Sequence, residues 1–134
     1  MKKLRKPFVV CILCSLFILP ATAKQRRPAS VQITGIYSNM RYVEEAGDVV
    51  GIEIFIVDGG HGYYATVQIA EGAPEPPIVV KVEVKGSMIE FIFSDDSGID
   101  YGKFVGKISA KGLTGKFQTS MKSEFLSRKR SYWQ

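Results

Sequence analysis

The chain has 134 residues, 46% of them hydrophobic, with 18 Lys and Arg against 13 Asp and Glu and a formal net charge of +5, enough for one hydrophobic core and too little for two. Four of the bases and none of the acids fall in residues 1–23, so residues 24–134 hold 14 bases and 13 acids, a net +1, which removes the basic domain that nucleic-acid binding needs. Both cysteines, Cys11 and Cys14, lie in the same N-terminal stretch, so residues 24–134 contain no thiol, no disulfide and no cysteine metal site.

Residues 1–23 read as a cleavable secretory signal peptide. Lys2, Lys3, Arg5 and Lys6 form a positive n-region, residues 8–19 an apolar h-region, and Ala21-Thr22-Ala23 a small-x-small cleavage site. The apolar run is shorter than the about 20 residues of a spanning helix and is followed by Pro20 and a polar, basic stretch at 24–27. Neither cysteine follows the small residue that a lipobox requires. Lys24 is therefore the expected first residue of an exported protein, periplasmic or secreted, with no transmembrane segment after processing. Residues 24–30 read as a flexible leader to a single domain over 31–134.

From there the apolar pattern has period two. Val50, Ile52, Ile54 and Ile56 alternate with Gly51, Glu53, Phe55 and Val57; Val80, Val82 and Val84 alternate with Lys81, Glu83 and Lys85; Ile89, Phe91 and Phe93 flank Glu90 and Ile92. Such runs are strands with one face in a core. Turn signals separate them at Ala46-Gly47-Asp48, Asp58-Gly59-Gly60-His61-Gly62, the Pro-rich segment 72–77, Gly86-Ser87, Asp95-Asp96-Ser97-Gly98 and Ala110-Lys111-Gly112. Eight strands are expected, near 31–43, 49–58, 63–70, 78–85, 88–94, 101–109, 112–118 and 124–133. The fold class is all-β, an antiparallel up-and-down meander closed into a small barrel, with a β-sandwich as the alternative. Gly35 marks a bend or a close approach of another backbone in the first strand, and Gly102, Gly106, Gly112 and Gly115 relieve crowding where the barrel curves.

Gly35-Ile36-Tyr37 on the first strand, with Arg128, Lys129 and Arg130 on the last, resembles the calycin arrangement of the lipocalins. There a G-x-W motif opens the barrel and a basic side chain packs over it; here Tyr37 stands at the tryptophan position, and the T-D-Y motif is missing. The resemblance implies a calycin-like barrel. Tyr37-Ser-Asn-Met-Arg-Tyr, Glu45-Ala-Gly-Asp-Val-Val-Gly and Ser131-Tyr-Trp-Gln also resemble a group of small exported bacterial proteins, uncharacterised as a group, which implies export but no activity.

Residues able to do chemistry are sparse. His61 is the single histidine, so residues 24–134 offer neither a Cys-His dyad nor a two-histidine zinc site, and no Gly-x-Ser-x-Gly elbow presents a serine. A solvent-exposed turn is the expected place of His61. Glu53, Glu83 and Glu90 occupy alternating positions expected to face water rather than each other across a glycosidase cleft. Asp95, Asp96 and Asp100 lack the order and the terminal Glu of a calcium loop. No catalytic residue, metal or cofactor is implied, and the protein reads as a non-enzyme.

Charge is segregated along the sequence: residues 24–43 sum to +4, 44–100 to −10 and 101–134 to +7. Closing the last strand against the first brings the basic segments together, a positive sector suited to an anionic envelope component. Tyr37, Tyr42, Tyr63, Tyr64 and Tyr101, with Arg128 and Arg130, are the candidate ligand-binding residues, at a barrel mouth or in a surface groove. Phe91, Phe93, Phe104 and Phe117 argue for a largely filled interior and a shallow site. Trp133, which shares a face with Phe125, is expected in the core, and Arg128 and Arg130 in solvent. The leading function is an exported binding module for an anionic envelope component, a small apolar molecule or a protein. The alternatives are an inhibitor that inserts loop 58–62 or 72–77 into a hydrolase, and a carboxylate-dependent enzyme built on Asp58, His61 and a tyrosine.

Overall fold

The computed structural model describes residues 31–94 and 100–133. The signal segment, the leader at 24–30 and the turn at Asp95, Asp96, Ser97 and Gly98 lie outside the described residues. Alternation of β-branched and aromatic residues with polar ones produces strands β1 (Gly35–Ser38), β2 (Arg41–Val43), β3 (Asp48–Asp58), β4 (Tyr63–Gly72), β5 (Ile78–Lys85), β6 (Met88–Ser94), β7 (Asp100–Ile108), β8 (Gly112–Phe117) and β9 (Glu124–Arg128). From β3 to β9 each strand pairs antiparallel with the next. β1 pairs with both β9 and β3, closing an eight-stranded barrel that leaves β2 outside the ring. Closure satisfies the sheet edges that a sandwich would leave open. No helix among the described residues is long and apolar enough to cross a membrane.

Inward positions form one core, which includes Ile54, Ile56, Val67, Ile89, Ile108, Leu113 and Leu126. At mid-height the barrel is filled by aromatic rings: Phe91 stacks on Phe104 with centroids 4.8 Å apart, and Phe117 meets Phe104 edge-on at 5.1 Å. Glycines make room for them. A Cβ on Gly106 would lie 2.8 Å from the Phe104 ring, and one on Gly115 2.8 Å from the Val105 carbonyl oxygen.

The expected first strand, 31–43, is broken into β1 and β2 because side chains replace the ladder at Asn39 and Met40. The Ile52 N–H donates to Asn39 Oδ1 at 2.7 Å, and the Met40 N–H donates to Ser38 Oγ at 3.1 Å. Opposite them Gly51 adopts a φ of +120°, and a Cβ there would lie 2.8 Å from Met40 Cα, so the kink needs glycine. Residues 31–34 precede the strand and place Ile33 in the core cluster. At Gly35 the close approach is of a side chain and not of another backbone, since a Cβ there would lie 2.5 Å from Arg128 Nη1.

The last strand also differs from expectation. It ends at Arg128, and the chain then crosses the outer surface of β3 and β4. Ser131 Oγ donates to Glu53 Oε1 at 2.5 Å, the Tyr132 N–H to Glu53 Oε2 at 2.8 Å, and Trp133 Nε1–H to Gln68 Oε1 at 2.9 Å. Two expectations are corrected here. Trp133 is 55% exposed rather than in the core, because strand parity does not carry past Arg128. Glu53 is buried rather than facing water, because the tail covers it. Phe125 is likewise outward and half exposed, since Leu126 takes the inward position on β9. Ending the chain after Arg130 removes both donors and uncovers the Glu53 carboxylate to water, so thermal melting should show a loss of about 1–2 kcal/mol, the net worth of hydrogen bonds exchanged for hydration.

Candidate functional site at the barrel mouth

The two ends of the barrel are built differently. At the end where β3 turns into β4, residues 31–34 lie over the core and are tied down from within. Tyr37 Oη donates to the Ile33 carbonyl at 2.7 Å, while Arg128 donates from Nη1 to the Thr34 carbonyl at 2.8 Å and from Nη2 to Tyr37 Oη at 2.5 Å and to the Gln32 carbonyl. The guanidinium carbon stands 4.8 Å from the centroid of the Tyr37 ring, a stacked cation on an aromatic face. Arg128 is thus half-buried and fully engaged rather than in solvent. Burial holds the Tyr37 hydroxyl above the ordinary phenol value, and the Arg128 charge pulls it down by less.

The opposite end is open. A pocket of about 400 Å³ sits there, floored by Ile52, Ile69, Phe104 and Phe117 and walled by Tyr101. Tyr101 reaches it through a break in register. The β6–β7 pairing shifts at Phe93 and Ser94, Gly102 takes a φ of +72°, and the Tyr101 ring lies 5.3 Å from Phe93 and 5.6 Å from Phe117 between centroids. A glycine in this left-handed conformation is what such a bulge requires.

The rim is polar. Asn39 Nδ2 donates to Glu124 Oε2 at 3.2 Å, and Lys122 Nζ stands 3.7 Å from Glu124 Oε1. Arg41 and Glu71 complete the rim from β2 and β4, and neither forms a salt bridge among the described residues. An apolar floor under convergent polar groups is the usual form of a small-ligand site, and the volume falls in its lower range.

The candidate residues read from the sequence do not form one site. Tyr101 lines the mouth. Tyr42 lies on β2, outside the ring, and is exposed. Tyr63 and Tyr64 start β4 at the far end, with Tyr63 packed on the core and Tyr64 beside the turn at 59–62. Tyr37 and Arg128 seal that same end, and Arg130 is exposed in the tail. His61 is exposed in the β3–β4 turn, where the Asp58 carboxylate accepts the Gly60 N–H at 2.8 Å. Glu90 pairs with Lys103 at 2.9 Å, and that hydrogen bond holds its carboxyl below the ordinary value. Among the described residues no three His, Cys, Asp or Glu side chains gather as a metal would need. Sequence reading missed Asn39, Arg41, Ile52, Ile69, Lys122 and Glu124; closure brings the first four, from β1 to β4, together with the last two, from the β8–β9 turn and β9. Comparison of the chain with protein-family models, with curated proteins and with solved structures finds no match.

Proposed function

We propose that the protein is an exported, non-enzymatic binding module that holds a small ligand in the barrel mouth, its apolar body on Ile52, Ile69 and Phe117 and its polar end at the rim. The observation that carries this reading is the pocket of about 400 Å³ with an apolar floor and a polar rim. Phe104 and Phe91 close it from below, so the ligand is short or enters only partway. The mixed rim, Arg41 and Lys122 against Glu71 and Glu124, orients a polar group without demanding a strongly charged one. Export rests on the n-region, h-region and small-x-small pattern of residues 1–23, and periplasmic or secreted localisation follows from it.

Native mass spectrometry of the protein drawn from its own host tests the reading. A discrete adduct released by denaturation is expected, and Ile52→Trp, which fills the mouth, should abolish it. A clean apo mass for the unaltered protein would sink the proposal and move the search to protein partners.

A further inference from the structure

The outer face of β7, β8 and β9 has an unusual make-up. Lys107 points outward from β7 and Lys116 from β8, beside Lys103, which is paired with Glu90 of β6, while Glu124, the carboxylate of β9, is turned to the mouth. Exposed Lys111 and Lys122 extend the same sign into the two connecting turns. Apolar side chains stand singly among these cations. Phe125 is 50% exposed, Val105 39%, and Met121, beside Lys122 at the tip of the β8–β9 turn, is 102% exposed. Strand register interleaves them: Val105 lies across from Lys116, and Thr114 separates Lys107 from Phe125.

Lysines spread over a face attract an anionic leaflet within a Debye length, and apolar groups between them enter the headgroup region once contact is made. A protein partner would be better met by a contiguous apolar patch with a polar rim; isolated apolar groups among ammonium groups fit a lipid surface. We propose that the outer face of β7–β9, led by the β8–β9 turn, docks on an anionic lipid bilayer. Lys122 also belongs to the rim of the mouth, so docking places one side of that rim at the bilayer. The surface and the pocket are separate observations, and the docking stands whether or not the mouth holds a ligand.

Cosedimentation with vesicles of phosphatidylcholine mixed with phosphatidylglycerol, against phosphatidylcholine alone, tests this. All proteins compared share one N-terminus, so that residues 8–19 cannot account for the differences. Binding only to the anionic vesicles, weakened by added salt, is expected. Lys107→Glu with Lys116→Glu should reduce it about tenfold or more, Met121→Asp roughly fivefold, and Lys81→Glu on the opposite wall not at all. These side chains are exposed, so the variants retain the fold. Failure to bind anionic vesicles, equal binding to neutral ones, or equal weakening by Lys81→Glu would overturn the proposal. Loss through the lysines with no effect of Met121→Asp would assign the face to a soluble polyanion and overturn it too.

Discussion

Phe104→Ala is expected to lower stability by about 3–5 kcal/mol, the usual cost of emptying an aromatic site in a closed core. For a domain of this size that is a fall in melting temperature of roughly 15 °C or more. The ring is 1% exposed, stacks on Phe91, meets Phe117 edge-on and lies against Gly106 and Gly115, which have no side chains to move into the space. The cavity left therefore stays open. Because Phe104 is also part of the floor of the mouth, the variant should accept a longer ligand, seen as a heavier adduct by native mass spectrometry. Phe104→Leu, which keeps most of the volume, should cost only about 1–2 kcal/mol and separates the effect on the ligand from the effect on folding.

Arg128→Met should cost about 2–3 kcal/mol, since it removes charge-assisted hydrogen bonds to two carbonyls and to Tyr37 Oη while keeping an apolar stem over the ring. Arg128→Lys should recover only part of this, because an ammonium cannot span acceptors that a guanidinium reaches in one plane. The loss has a pH signature. Tyr37 has a folded-state value above the ordinary 10.0 of a phenol, so its contribution is fully present below that value and is lost as pH rises through the folded one. Without the Arg128 charge, which lowers the Tyr37 value, the alkaline decline should deepen. Chemical denaturation of both proteins at neutral pH and in alkali reads the difference directly.

The barrel was legible because one face of nearly every strand is buried. Ile54 and Ile56, Val80 and Val82, and Phe91 and Phe93 cannot change face without leaving the core, so period two carries the fold. Where a side chain replaced a backbone partner, the pattern was silent. The break at Asn39 depends on the Ile52 amide finding Asn39 Oδ1, a contact between strands that alternation does not encode. Trp133 misled for a related reason: parity counted from β9 loses meaning once the chain turns outward to Glu53. The mouth was the least legible. Tyr101 was recognisable as an amphipathic ring, but its inward direction comes from the bulge at Gly102, and Arg41 is brought to the same rim as Lys122 and Glu124 only when β9 meets β1.

That last pairing also sets the order of events in folding. Tyr37 and Arg128 are 91 positions apart, yet their contact completes the ring, so β1 gains its second partner only after every intervening hairpin can form. High contact order of this kind makes folding slow and leaves β1 and β9 as unpaired edges until the end. While the ring is open, those two edges are where the chain is most exposed to pairing with another molecule, so formation of the Arg128 clasp ends that exposure as well as opposing unfolding afterwards.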